Sequence, residues 1–143
     1  MRDQFDVVVA GGGPVGATLA LALRQSGLSV ALVEPRRTSG AATPSMPFRP
    51  IALSYASRLV LDRIGAFDAL PVTAIENVHI SQAGGFGRTM IRADELDLPA
   101  LGYVTDLAPL AGTLLAAAAP EHLAARVRGW HDAGDAVHVQ LEG

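Results

Sequence analysis

The sequence predicts an α/β fold on a parallel βαβ core, and three features of its N-terminal quarter carry that prediction. Residues 5–10 form a β-branched, almost wholly apolar run. A glycine-rich break follows at Gly11, Gly12 and Gly13. A second apolar run, 29–33, ends on Glu34 after an intervening helical stretch. Continuous apolar runs suit strands covered on both faces, and two such strands flanking one helix form a right-handed crossover.

Pro14 stands where a first helical residue belongs, because its missing N–H costs nothing there. The helix is predicted over 15–26, with Leu19, Ala22 and Leu23 on its inner face and Gly27 as C-terminal cap. Residues 35–50 read as a proline-containing loop. Ser54 can cap a helix running to Ile64, with Leu59, Val60 and Ile64 inward. A strand over 75–81, a turn at Gly84, Gly85 and Gly87, and a partner strand over 88–91 follow. Residues 106–119 read as a helix with Pro109 in its first turn. The alternating segments 126–131 and 136–141 predict a β-hairpin, with Val137, Val139 and Leu141 on one face.

Half of the 143 residues are hydrophobic and 17% are charged, a balance that supports a packed core and excludes a disordered tail. The net charge of −3 gives no electrostatic basis for nucleic-acid binding. With no cysteine there is no disulfide, thiolate metal site or cysteine nucleophile, which fits a cytoplasmic setting. The N-terminus lacks the long apolar region of an export signal, and no apolar stretch is long enough to cross a bilayer.

The segment Gly11-Gly12-Gly13-Pro14-Val15-Gly16 fits G-x-G-x-x-G between a strand and a helix, and Glu34 stands about 20 residues on, as a dinucleotide fingerprint requires. Gly11 permits the tight turn, Gly13 lets a pyrophosphate approach the backbone, and Gly16 lets the helix pack closely on the strand. N–H groups at the helix start, aided by its dipole, favour phosphate. A carboxylate at Glu34 can accept from ribose hydroxyls and repels a 2′-phosphate, which argues against NADP in this cradle. The pattern is shared by FAD and NAD enzymes; its N-terminal position favours FAD.

Downstream, Arg49-Pro50-Ile51-Ala52-Leu53-Ser54, Ile80-Ser81-Gln82-Ala83-Gly84-Gly85-Phe86-Gly87-Arg88 and Leu101-Gly102-Tyr103-Val104 occur in that order. With the N-terminal turn they resemble the 2-polyprenyl-6-methoxyphenol hydroxylases of ubiquinone biosynthesis. These are single-component FAD-dependent aromatic-ring hydroxylases, similar in fold to p-hydroxybenzoate hydroxylase. The resemblance implies a flavoprotein monooxygenase, an oxidoreductase in which NAD(P)H or another donor reduces FAD. The reduced flavin then activates dioxygen to hydroxylate a small phenolic substrate. It implies cofactor contacts at Gly11, Gly13, Pro14, Val15, Gly16 and Glu34, at Arg36 near the adenine ribose, and at Arg49 near the flavin. No catalytic residue and no metal site is assigned. A polyprenylated substrate makes peripheral contact at the inner face of a membrane compatible with the full enzyme, and self-association is compatible as well.

Three departures accompany the resemblance, one of them Pro50 inside R-x-I-A-L-S. Thr105-Asp106-Leu107-Ala108-Pro109 replaces the usual polar opening of the next helix, and the later G-A-D-G and G-D-A-A-H segments do not occur. The expected organisation is a Rossmann-like FAD-binding domain over 1–74 and 101–143, incomplete, with 75–100 as the first part of a β-rich substrate domain. If these residues are the whole polypeptide, impaired FAD retention and no hydroxylase activity are expected. A non-catalytic dinucleotide-binding module, or an inactive truncated flavoprotein, and an NAD-linked dehydrogenase domain are the alternatives.

His79, His122, His131 and His138 show no ligand-like grouping, and His131 and His138 read as a surface cross-strand pair. Phe86 and Trp130 are expected in the core or on a sheet face. Asp94, Glu95 and Asp97 read as a solvated turn.

Overall fold

The computed structural model describes residues 4–35, 48–118 and 121–142. Two compact units arise, Met1–Met46 with Leu110–Gly143, and Pro47–Pro109.

In the first unit, β1 (Val7–Ala10) and β2 (Val30–Val33) pair in parallel, Val7 opposite Val30 through Ala10 opposite Val33. The crossover between them is α1 (Pro14–Leu23). The two strands and the helix are each shorter than predicted, and residues 24–27 are a turn that closes on Gly27 at φ 79°. The inner face of α1 is not the leucine face. Ala17 and Ala20 are buried, whereas Leu19 is 47% exposed and Ala22 is exposed. The reason is steric: a helix held close to the sheet by its glycine-rich start has room inward only for methyl groups.

A third parallel strand, β8 (Glu121–Leu123), extends the sheet to the order β1-β2-β8. The sequence did not mark it, because three residues are too few to show a period. β2 thereby becomes central, and Ala31, Leu32 and Val33 are buried. Leu110, Leu114, Leu115 and Ala118 of α3 (Leu107–Ala118) are also buried, and Arg24 donates from Nη1 to the Ala117 carbonyl at 3.1 Å. The hairpin of β9 (Arg126–Asp132) and β10 (Val137–Glu142) forms as predicted, with a bulge between Gln140 and Leu141. Val137 and Leu141 remain exposed and Val139 is half-buried, so the alternation there marks a solvated ribbon. His131 lies opposite His138 with ring centroids 4.8 Å apart, an exposed pair as expected. Trp130 is exposed on this ribbon.

In the second unit, β3 (Pro50–Ser54) and β4 (Thr73–Ile75) pair antiparallel on either side of β7 (Gly102–Asp106). The run predicted as one strand over 75–81 divides at Glu76, whose carbonyl accepts from Ala93 N–H at 2.9 Å. Its second part, β5 (Asn77–Ser81), pairs with β6 (Arg88–Arg92) across the glycine turn. Phe86 in that turn is wholly exposed rather than in a core, because the turn has no layer beneath it among the described residues. Asp94, Glu95 and Asp97 form an exposed 3-10 turn, and no metal-binding cluster exists among the described residues.

Ser54 caps α2 (Tyr55–Arg63), its hydroxyl accepting from Ser57 N–H at 3.1 Å. The inner face of α2 differs from the expected one. Leu61 is buried, whereas Leu59 and Val60 are about half exposed. Arg58 occupies the inner face beside it, with its guanidinium carbon 5.1 Å from the Phe67 ring centroid and 5.8 Å from that of Tyr103. A cation spread over aromatic faces takes the place of an aliphatic contact.

The burial pattern sets an order of stabilities. Leu32→Ala should lower unfolding free energy by about 2–5 kcal/mol and Leu19→Ala by less than about 1 kcal/mol. Urea unfolding of the two variants checks the order, and its reversal would return the leucine face of α1 to the core.

Candidate functional site

The turn between β1 and α1 is fixed by its own backbone. Gly11 N–H donates to the Val33 carbonyl at 2.8 Å, which ties the turn to the end of β2. Gly11 then adopts φ 101°, a conformation that favours glycine. A Cβ on Gly16 would stand 2.0 Å from the Gly11 carbonyl oxygen and 3.3 Å from Val9 Cγ1, so the first turn of α1 lies directly on the strand end.

Gly13 differs from both. It is the N-cap of α1, in extended conformation, and nothing lies within 4 Å of where its Cβ would be. The protein itself does not require glycine there, whereas a ligand lying against the backbone would. Among the described residues no side chain caps α1, and its first turn has no acidic residue. Pro14 opens the helix and Val15 is exposed.

Glu34 is 7% exposed, and its Oε2 accepts from Gly12 N–H at 2.9 Å. A Cβ on Gly12 would fall 2.8 Å from Glu34 Cγ. Glycine at this position therefore serves Glu34, a need that the spacing of the fingerprint treats as arbitrary. The backbone of Glu34 is held as well: its N–H donates to the Leu123 carbonyl at 3.1 Å, and its carbonyl lies 2.8 Å from His122 Nε2.

A cleft of about 380 Å³ opens beside these groups, lined by Gly11, Glu34 and Pro35 and by Ala125, Arg126 and Val127. The last three were read from the sequence only as the approach to a hairpin. Their part in the cleft follows from β8, which carries the chain back beside Glu34. Arg126 and Glu34 both line this cleft.

Arg49 belongs to the second unit. Its N–H donates to Asp106 Oδ1 at 3.0 Å, and its carbonyl accepts from Leu107 N–H at 3.0 Å. Asp106, noted as a departure from the family pattern, thus anchors the arginine backbone, while the Arg49 residue is exposed. Arg36 lies outside the described residues.

Residues 6–55 match the family described as FAD dependent oxidoreductase. The chain is 31% identical over 112 residues to 3-demethoxyubiquinol 3-hydroxylase of Escherichia coli, covering 73% of this chain and 28% of that protein. It is 37% identical over 75 residues to the ubiquinone hydroxylase UbiM of Neisseria meningitidis, covering 52% of this chain and 16% of that protein. The structure superposes on the flavin-dependent monooxygenase PieE in complex with FAD and substrate with a TM-score of 0.72, at 18% identity, over 99% of this chain and 27% of that one. At that identity the likeness establishes the fold. The chain spans between 16% and 28% of the lengths of the curated relatives compared.

The glycine geometries separate structural from ligand demands. Gly13→Ala should leave unfolding free energy within about 1 kcal/mol of the parent, since its φ and ψ suit alanine and the space is open. Gly16→Ala should cost several kcal/mol, on the order of an overpacked core site. Thermal unfolding of both variants measures the contrast, and a Gly13→Ala chain as unstable as Gly16→Ala would mean that Gly13 is structural.

Proposed function

We propose that this chain, similar in part to FAD dependent oxidoreductases and to ubiquinone hydroxylases, forms the ADP-binding part of a monooxygenase that hydroxylates a polyprenylated phenol of ubiquinone biosynthesis. The observation that carries this reading is the open space at Gly13, beside an uncapped helix start and the fixed carboxylate of Glu34. Gly13, Val15 and Gly16 would offer backbone N–H groups and the helix dipole to the pyrophosphate, while Gly11, whose N–H is taken by the Val33 carbonyl, would shape the turn beneath it. Pro14, having no N–H, would contribute only the fixed start of the helix. Glu34 would accept from the adenosine ribose, its orientation set by Gly12. Arg126 adds a guanidinium suited to the adenine face at the cleft. Arg49, on its anchored backbone, and Arg36 would meet the remaining part of the cofactor.

Bound FAD would supply the oxygen chemistry, with NAD(P)H as the proposed electron donor. The chain's own contribution is to bind, orient and select the dinucleotide. The first unit serves as the FAD-binding part, and residues 75–100 as the start of a substrate-binding part. A membrane-resident phenol would be met by peripheral contact of the full enzyme; no helix among the described residues is long and apolar enough to cross a membrane.

Titration of the 15N-labelled chain with ADP tests the cradle. The expected result is a set of shifts at the Gly11, Gly13, Val15 and Gly16 amides. Binding of a 2′-phosphorylated ADP should be weaker by about tenfold or more, from repulsion at Glu34. Unmoved amides at millimolar ADP would sink the reading. The larger assignment is read on the native protein: NAD(P)H-dependent oxygen uptake should rise with a polyprenylated phenol, and uptake indifferent to the phenol would overturn it.

A further inference from the structure

We infer that His122 is a positioning residue for the cofactor cradle, acting through Glu34. The inference rests on the reading of that cradle as an ADP site, and it begins with a hydrogen bond missing from the β-ladder. In the parallel pair of β2 and β8, Val33 stands opposite Leu123, and Glu34 N–H continues the pattern by donating to the Leu123 carbonyl. The next bond of such a ladder would run from Ala125 N–H to the Glu34 carbonyl. It does not form. Ala125 N–H turns back instead to the Leu123 carbonyl at 2.8 Å, as the chain leaves β8 to enter the cleft wall.

The donor that the strand withholds is supplied by a side chain. His122 Nε2 lies 2.8 Å from the Glu34 carbonyl oxygen. A carbonyl can only accept, so in this contact Nε2 carries the proton. Among the described residues Glu34 is held by Leu123 at its N–H, by His122 at its carbonyl and by Gly12 at its Oε2. The first two set the peptide and the third sets the carboxylate. Removing the imidazole would release the peptide plane just beyond the last residue of β2, and with it the direction in which the carboxylate leaves the backbone. The Gly12 N–H, held by that carboxylate, would be released in turn. The departure of the chain at Ala125 that creates the need for His122 is also what brings Ala125, Arg126 and Val127 into the cleft.

The test compares the parent chain with His122→Leu and His122→Gln by amide hydrogen exchange and by ADP titration. In His122→Leu, exchange at Gly12 should accelerate and ADP affinity should fall by about tenfold, while the β2 amides stay protected. In His122→Gln, whose amide can donate to the same carbonyl, both should recover. Retained Gly12 protection in His122→Leu overturns the positioning role, as does loss of β2 protection alongside it, which would mark a structural residue only. Failure of the Gln variant to restore Gly12 overturns it too. Faster Gly12 exchange with unchanged ADP affinity overturns the link to the ligand. Absence of any ADP response in the parent chain instead overturns the reading of the cradle, and the exchange data then judge the hold on Glu34 separately.

Discussion

The hydrogen bond from Gly12 N–H to the buried Glu34 carboxylate is the constraint around which the first unit is arranged. A carboxylate this deeply buried needs partners, and one left without them would cost several kcal/mol. Meeting that need requires the β1–α1 turn to come within reach of the end of β2. This in turn requires glycine at position 12, where any Cβ would strike the Glu34 side chain. The same closure sets Gly11 at its positive φ and presses Gly16 onto the strand end, and it holds α1 so close to the sheet that alanines rather than leucines face inward.

The division of labour among the glycines follows. Gly12 and Gly16 are required by close contacts and Gly11 by its positive φ, whereas Gly13 combines an ordinary extended conformation with open space where a Cβ would stand. Its place at an uncapped helix start, beside a carboxylate with a fixed orientation, matches the polar requirements of an adenosine diphosphate: donors for the pyrophosphate and an acceptor for the ribose.

The second unit solves a different problem. Its inner helix face carries Arg58 among Tyr55, Phe67 and Tyr103, with Nε 3.4 Å from Asp62 Oδ2 but without a hydrogen-bond partner among the described residues. The charge is tolerated because aromatic faces and a nearby carboxylate surround it while part of the side chain remains in contact with solvent. Thr105 Oγ1 donates to the Pro71 carbonyl at 2.8 Å, and Asp106 holds the backbone of Arg49. The Thr-Asp pair that departs from the family pattern thus serves as backbone anchoring in this chain.

The sequence by itself determined the parallel βαβ unit, the glycine turn and its acidic partner, the cap at Ser54 and the two hairpins. Each of these is encoded within a few consecutive residues by period, cap or turn chemistry. The resemblance to FAD-dependent hydroxylases was also legible there, through the ordered motifs from Arg49 onward. Tertiary structure alone decided which faces of α1 and α2 turn inward, because burial depends on how closely a helix is held to its sheet and not on its hydrophobic period. It decided the short strands β3, β4 and β8, which exist only through partners distant in sequence. It also decided the cleft wall at Ala125, Arg126 and Val127 and the contact of His122 with Glu34. A pairing between residues 88 positions apart leaves no local mark, so a histidine that looked incidental along the chain stands against the backbone of the proposed ribose ligand.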